Sequence, residues 1–233
     1  MKKLLLLAMP FILFSCRMSQ KGSGRITTET RNIAAFSSVD VAGSIDVEIM
    51  QGDKNEVVVE ADDNILTYVE TVSNNGVLSI RIKPNTNLRN FTARVRLTSP
   101  LYKNISAAAS SEIIGKNYIT SAEKITLKAS SSADINIQID APVIYVDGSS
   151  SADITLAGKT KQLDANASSS SDLKLEELKA ETVTANASSS STINLFASVM
   201  LDARATSSAD INYTGGVKNV QKKESSSGSV SAR

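Results

Sequence analysis

Apolar and polar residues alternate along most of the chain, and the alternation restarts at regular intervals. In residues 128–138, KASSSADINIQ, small and hydroxyl residues precede an acid and then alternating Ile. The same phrase returns as DGSSSADITLA, NASSSSDLKLE, NASSSSTINLF and RATSSADINYT. Alternation with a period of two predicts β-strands that bury one face. The repetition predicts a stack of similar units.

The repeat has a period close to 19 residues when the position after each Ser run is taken as position zero. Successive steps are 22, 19, 19, 20, 18 and 19 residues. Position zero is occupied by Glu112, Asp134, Asp153, Asp172, Thr192, Asp210 and Ser229. This period is too short for the common helical repeats and fits one turn of a β-solenoid.

Columns on either side of position zero separate into an apolar and a polar set. The position one after zero holds Ile113, Ile135, Ile154, Leu173, Ile193, Ile211 and Val230. The positions three after and nine before zero are also apolar, whereas the position two after zero is polar from Asn136 to Asn212. An all-β solenoid with coils of about 19 residues follows, in which the apolar columns stack as the core.

The Ser runs lie between the two inward-pointing segments of each coil. Small side chains fit where a solenoid bends, and hydroxyl groups can satisfy backbone groups there. With coils about 4.8 Å apart, one serine per coil is predicted to form a hydrogen-bonding ladder, namely Ser132, Ser151, Ser170, Ser190 and Ser208. The alternative is that the Ser run also forms a contact surface.

The ends of the repeat region differ from its middle. Residues 36–49 resemble a first, degenerate coil, and residues 50–104 are predicted to be a β-rich insertion or cap. In the last coil, Lys222 and Glu224 replace apolar and small residues, which is expected of a terminal coil with a polar outer face.

The N-terminus has the features of a targeting sequence. Lys2 and Lys3 precede the apolar residues 4–14, which are too few to span a bilayer, and Cys16 follows Ser15. This pattern resembles a bacterial lipobox, so residues 1–15 are predicted to be a lipoprotein signal peptide, with lipidation of Cys16 as the membrane anchor. The alternative is an ordinary signal peptide in which Cys16 has no special role.

Residues 16–30 are then predicted to be the lipidated Cys and a flexible tether, and residues 31–233 a single solenoid domain. The short polar segment after Cys16, residues 17–25, contains no acid. An outer-membrane location is predicted, with the periplasmic and surface sides left open.

Composition excludes several functional classes. The net charge is +1 and aromatic residues make up 4%, which argues against nucleic-acid binding by a basic surface or by base stacking. His is absent, so Ser-His-Asp, Cys-His and His-metal sites cannot form. No cofactor is predicted.

Two columns of polar residues are candidate contact surfaces. The column six before zero contains Lys128, Asn166, Asn186 and Arg204, and the acid column contains Asp134, Asp153 and Asp172. The acids could hold Ca²⁺ between coils, or could accept hydrogen bonds from nearby backbone N–H groups, the interpretation favoured here.

A polysaccharide-active enzyme is a further alternative. It would recruit outward residues such as Lys174, Arg204, Asp164 and Asp202, whose spacing does not differ from that of a solvated face.

The sequence resembles the head GIN domain family of auto-transporter adhesins. The resemblance is carried by residues 36–83, FSSVDVAGSIDVEIMQGDKNEVVVEADDNILTYVETVSNNGVLSIRIK, by ARVRLTSPLYKNISAAASSEI, and by the Ser/Asp-Ile repeats. It implies a right-handed, pectin-lyase-like β-helix on a secreted or lipid-anchored bacterial protein, with a role in adhesion. The family often has Gly-Ser-Gly-Asp-Ile where this chain has Ser-Ser-Ala-Asp-Ile.

These observations favour a non-catalytic cell-envelope lipoprotein acting in adhesion or surface interaction, with a glycan or a protein as its ligand. A structural periplasmic protein is the first alternative, and a polysaccharide-active enzyme the second. The sequence leaves the oligomeric state open.

Overall fold

The computed structural model describes residues 19–233, which contain strands and one short 3-10 helix, Leu66–Tyr68. The strands are β1 (Gln20–Lys21), β2 (Ile26–Arg31), β3 (Ser38–Ala42), β4 (Asp46–Gln51), β5 (Glu56–Asp62), β6 (Val69–Asn74), β7 (Val77–Ile82), β8 (Leu88–Arg89), β9 (Ala93–Ser99), β10 (Asn104–Ala108), β11 (Glu112–Gly115), β12 (Ile119–Thr120), β13 (Ile125–Ser130), β14 (Asp134–Asp140), β15 (Val143–Ser149), β16 (Asp153–Ala167), β17 (Asp172–Ala187), β18 (Thr192–Thr206), β19 (Asp210–Thr214), β20 (Asn219–Ser225) and β21 (Ser229–Ala232). The predicted signal peptide and Cys16 lie outside the described residues.

Parallel pairing between equivalent segments of successive coils confirms the β-solenoid. Each coil has a strand before the Ser corner and a strand after it, so β13 pairs with β15 and β14 pairs with β16. In β16, β17 and β18 the strand continues from one coil into the next around the second corner. The registers match the position-zero alignment: Asp134 pairs with Asp153, and Asp153 with Asp172.

The predicted apolar columns form the core. Every member of the column one after zero is buried, and Ile154 is fully buried. The column three after zero is buried from Ile137 to Leu195 and only partly buried at Tyr213. Side chains of successive coils therefore stack on one another along the axis, as period-two alternation requires.

The Ser corner is built from pairs of residues in the left-handed backbone conformation. These pairs are Ser131 and Ser132, Ser150 and Ser151, Ser169 and Ser170, Ser189 and Ser190, Ser207 and Ser208, and Ser226 and Ser227, all with φ between 47° and 63°. Non-glycine residues rarely adopt this conformation because of the Cβ atom, so each pair stores some strain.

The predicted serine ladder exists, but its chemistry differs from the prediction. Backbone N–H groups form it: Ser132 donates to the Ser150 carbonyl and Ser170 donates to the Ser189 carbonyl, each at 3.0 Å. The side chains of these paired serines are exposed. The hydroxyl groups that bond the backbone belong to the buried residue just before zero, as in Ser171, whose Oγ donates to the Gly148 carbonyl at 2.9 Å and accepts the Ser168 N–H at 3.1 Å.

The N-terminal end is more complex than the predicted insertion. Strands β3 and β4 lie in the segment that was predicted to be the first coil. They form the second coil of the stack, because β7 pairs with the outer edge of β3 and β9 with the outer edge of β4. Within residues 50–104, β7 and β9 thus form the terminal coil, and antiparallel strands form a cap on it. In this cap β6 pairs with β7, β5 with β9, and β2 with β5.

The structure also differs from the predicted flexible tether over residues 16–30. Strand β2 belongs to the cap, and β1 pairs with β8. The buried carboxylate of Asp62 explains the order, since it accepts the Gly24 N–H at 2.6 Å and the Thr92 N–H at 2.7 Å. A charged acceptor of this kind holds backbone donors strongly. The solenoid domain therefore begins before residue 31.

The C-terminal end is closed by side chains. Lys222 and Glu224 take the inward positions that Ala203 and Ala205 occupy one coil earlier. The Lys222 Nζ donates to the Val230 carbonyl at 2.8 Å, and a Glu224 carboxylate oxygen accepts the Val230 N–H at 2.6 Å. The predicted polar terminal coil is thus confirmed, with hydrogen bonds across the open end of the core.

Candidate contact surface

The column six before zero lies on the strand that precedes the Ser corner. Lys128, Asn166, Asn186 and Arg204 are brought into one line by direct register pairing of successive coils. Asp147 stands in the same line, between Lys128 and Asn166. The sequence prediction did not name Asp147, although its position six residues before Asp153 was sufficient to find it.

A hydrogen-bonded row connects the middle of this column. The Asn186 Nδ2 donates to the Asn166 Oδ1 at 3.0 Å, and the Asn166 Nδ2 donates to the Asp164 Oδ1 at 3.3 Å. Arg204 forms an ion pair with Asp202 at 2.9 Å. These contacts hold the side chains in fixed orientations, which reduces the entropy lost when a partner binds.

Four residues of the column, Asp147, Asn166, Asn186 and Arg204, line a groove of about 340 Å³ beside the Ser corner, and Lys128 does not contribute to it. Its lining is Asp147, Asn166, Ala167, Ser168, Asn186, Ala187, Ser188, Arg204 and Thr206. Amide, carboxylate and guanidinium groups in one groove offer both donors and acceptors, which suits a polar ligand with repeated hydroxyl or amide groups. We call this groove the asparagine groove.

The acid column lies on the strand that follows the Ser corner. Asp134, Asp153 and Asp172 are in register on successive coils, so their charges are neighbours. Lys174 lies among them, with its Nζ 3.3 Å from an Asp153 carboxylate oxygen and 3.8 Å from an Asp172 carboxylate oxygen. A lysine of the protein itself thus neutralises part of the column.

The pKa shifts in this column reflect burial and crowding of like charges. Burial raises the pKa of Asp134, and the charge of Asp153 raises it further. Burial also raises the pKa of Asp172, where the charges of Asp153 and Glu176 add to the effect and Lys174 opposes it. Burial alone would lower the pKa of Lys174, but the hydrogen bond and charge of Asp153 help to raise it overall.

The favoured reason for the acids, acceptance of hydrogen bonds from nearby backbone N–H groups, is not what the structure provides. Among residues 19–233, the carboxylates of Asp134, Asp153 and Asp172 accept no backbone N–H, and the Asp172 Oδ1 is a buried oxygen without a hydrogen-bond partner. The described part of the chain also has no cluster of three or more His, Cys, Asp or Glu side chains arranged to hold a metal ion.

The two predicted columns do not converge on one site, because the Ser corner lies between the strands that carry them.

The outward residues proposed for an enzyme each form an ion pair or a hydrogen bond with a neighbouring surface side chain. Lys174 contacts Asp153, Asp164 accepts a hydrogen bond from Asn166, and Asp202 is paired with Arg204. Exposed pairs of this kind are common on solvated faces.

Comparison with known proteins identifies the family. Residues 35–216 match the family described as "Putative auto-transporter adhesin, head GIN domain", and the chain belongs to it. This confirms the resemblance seen in the sequence. No curated protein matches the chain.

Solved structures share the fold at low sequence identity. A protein titled a putative adhesin from Bacteroides fragilis superimposes with a TM-score of 0.81 and 18% identity, over 92% of this chain and 100% of that one. A putative adhesin from Parabacteroides merdae has a TM-score of 0.72 and 19% identity, over 92% and 99%. A protein from Parabacteroides distasonis titled a putative lipid binding protein has a TM-score of 0.71 and 22% identity, over 93% and 100%.

Residues 19–233 contain no helix with the length and apolar character needed to cross a bilayer.

Proposed function

We propose that this protein is a non-catalytic lipoprotein of the cell envelope that attaches to a glycan or protein partner through the asparagine groove. The observation that carries the proposal is the oriented row of Asn166 and Asn186 beside Arg204, repeated at the coil spacing in one groove. Membership of an adhesin family supports a role in surface contact. Many weak contacts along a regular face give useful avidity to a partner with repeated groups.

A glycan and cell-binding array probed with the full chain in detergent tests the groove. We expect reproducible binding that is lost in the double variant Asn166→Ala/Asn186→Ala, because its planar amide donors and acceptors are removed. The matched control is Asn136→Ala, an exposed asparagine on the strand after the Ser corner. Equal loss in the control, or binding unchanged in the double variant, would assign the contact to another face.

Anchoring through Cys16 is the second part of the proposal. A lipid chain contributes roughly 0.8 kcal/mol for each buried CH₂, so Cys16→Ser is expected to move the protein from the membrane fraction to the soluble fraction. Cys16 is the only Cys in the chain, which makes the variant specific. Membrane association that survives this change would refute lipidation as the anchor, and protease shaving of intact cells would decide between surface and periplasm.

The alternatives have separate outcomes in these experiments. A structural periplasmic protein would resist shaving and bind nothing on the array. A polysaccharide-active enzyme would depolymerise an arrayed glycan, with turnover that persists through repurification.

A further inference from the structure

The second corner of the coils, on the far side of β16–β18 from the Ser corner, contains another groove. Its volume is about 480 Å³, within the range of ligand-binding clefts. It is lined by Asp140, Ala141, Pro142, Lys159, Thr160, Lys161, Lys179, Ala180, Glu181, Phe196 and Ser198. We call it the lysine groove.

The coils that meet at this groove differ in length. Strands β17 and β18 are in register at Leu175 and Leu195 and again at Val183 and Leu201, but β17 uses two more residues in between. The register therefore shifts twice within the corner. The first shift adds three residues to β17 and the second adds one to β18, and irregularities of this kind bend the strands locally.

Lys159 and Lys161 are two neighbouring cations of this groove, and Asp140 lies in direct register with Lys159. The buried Thr160 lies between them in β16, so alternation places both lysines on the outer face. Neither forms an ion pair or a side-chain hydrogen bond within residues 19–233. Two unpaired ammonium groups on one side of a strand repel each other, and an anion bound between them would remove that cost.

A third ammonium group is held beside these two. Lys179 is in direct register with Lys159, and its Nζ lies 4.5 Å from the centre of the Phe196 ring. Its Nζ also donates to the Glu176 carbonyl at 2.9 Å and lies 3.8 Å from Glu177. Lys179 is therefore fixed in place, while Lys159 and Lys161 remain free to meet a ligand.

The floor of the lysine groove is apolar and its rim is charged. Pro142 and Phe196, both partly exposed, supply the accessible carbon surface, whereas Ala141 and Ala180 are buried. The five charged lining residues, three Lys with Asp140 and Glu181, sum to one positive charge. Apolar floor and cationic rim together match a sugar that has both a C–H face and a carboxylate.

We propose that the lysine groove binds a uronic-acid unit of an acidic polysaccharide, with the carboxylate between Lys159 and Lys161 and the sugar ring against the partly exposed side chain of Phe196. This site goes beyond the proposed function, since it stands whether or not the asparagine groove has a ligand. It also commits to a negatively charged glycan, which the asparagine groove does not require. A modest affinity is expected for a single unit, because Asp140 and Glu181 share the groove.

Isothermal titration of the full chain in detergent with tetragalacturonate tests this proposal. The matched ligand is the same tetrasaccharide with its carboxyl groups reduced to hydroxymethyl groups. We expect tetragalacturonate to bind and the reduced form to bind at least roughly tenfold more weakly, because the charge-assisted contacts are lost. Binding should also weaken as salt is raised.

Variants assign the site. Lys159→Gln/Lys161→Gln should weaken tetragalacturonate binding by about tenfold or more, and Phe196→Ala should weaken it less. The control Lys54→Gln/Lys83→Gln removes the same charge from two exposed lysines of the N-terminal end and should leave binding unchanged. All of these lysines are exposed, so circular dichroism should show an intact fold in both double variants.

Several results would overturn the proposal. They are no heat of binding at millimolar tetragalacturonate, equal binding of the reduced tetrasaccharide, or full binding by Lys159→Gln/Lys161→Gln. Inorganic phosphate titrated in parallel separates a glycan site from a simple anion site, because phosphate binding without tetragalacturonate binding would assign the lysines to a free anion. Loss of array binding in the asparagine-groove variant, with tetragalacturonate binding intact, would show that the two sites are independent.

Discussion

At its N-terminal end the solenoid continues into antiparallel strands, whereas at its C-terminal end two charged side chains lie across the last coil. The N-terminal cap contributes apolar residues of its own, such as Val57, Val59 and Val69, all buried. At the other end, Lys222 and Glu224 bond to the backbone of Val230. An exposed solenoid end offers unpaired strand edges and apolar side chains to other molecules, and a chain can prevent this by adding a layer or by changing two residues.

The difference has an energetic consequence. A cap that buries apolar area adds to stability, while polar side chains that replace core residues mainly prevent self-association at a small cost. The N-terminal end should therefore be the more stable of the two, and the regular coils between them should depend on the stacked core alone.

The largest loss of stability is expected from a substitution in the core of the middle coils, which lie between the two ends. Ile154→Asp places an unpaired charge among fully buried side chains, so unfolding in urea should show a loss of about 4 kcal/mol or more, or no folded protein at all. The control Asn136→Asp changes an exposed neighbour and should alter stability by less than about 0.5 kcal/mol. Cooperative unfolding at an unchanged midpoint in Ile154→Asp would contradict the assigned register.

The same substitution made at both ends sharpens the comparison. Val59→Ala should cost about 2 kcal/mol, because Val59 is fully buried in β5, which has β2 on one side and β9 on the other. Val230→Ala should cost about 1 kcal/mol, since β21 pairs only with β19 among the described strands. Chemical denaturation of both variants measures the difference, and an equal or reversed order would mean that the C-terminal end is the better protected.

Removing the two charged side chains at the C-terminal end should increase self-association of the protein more than it lowers the free energy of unfolding. Lys222→Ala/Glu224→Ala restores the small residues of the earlier coils but leaves the Val230 N–H without its carboxylate acceptor, at a cost of about 1 kcal/mol. The exposed apolar end should then promote concentration-dependent self-association, measured by sedimentation velocity. Lys223→Ala, at the outward position between them, is the matched control, and a double variant that stays monomeric would show that the pair has no protective role.

The smallest effect concerns the acid column between the ends. The pKa of Asp134 is raised in the folded state, first by burial and then by Asp153, so the folded protein binds this proton more readily than the unfolded chain. Ionised Asp134 therefore lowers stability at neutral pH, and this penalty disappears as the pH falls through the folded pKa and below the ordinary value of 3.8. Asp134→Asn should melt slightly above the wild type at neutral pH and equally well below pH 3.8.

For comparison, Asp210→Asn removes an acid of the same column whose pairing neighbours, Thr192 and Ser229, carry no charge. Thermal melts at both pH values measure the effect. An advantage of Asp134→Asn that grows as the pH falls would reverse the assigned direction.

The repeated coils could be predicted from the sequence in detail, whereas the ends and the grooves could not. Alternation correctly predicted that Ile154 and Leu173 lie in the core, because successive side chains of a strand point to opposite faces. It could not show that β7 and β9 lie outside β3 and β4, since that order depends on which strand edges meet after the chain turns back. Nor could it show the lysine groove, which lies where the register between β17 and β18 shifts.

Sequence alone determined the β-solenoid, its inward and outward columns, and the polar character of its last coil. These features depend on period-two alternation and on a repeat length, and both are local properties that every coil shares. Only the tertiary structure decided that Asn166 and Asn186 form one hydrogen-bonded row, that Lys174 neutralises the acid column, and that Lys159 and Lys161 remain unpaired at a groove. The reason is that contacts between side chains of different coils depend on register and corner shape, which are decided when the coils stack on one another.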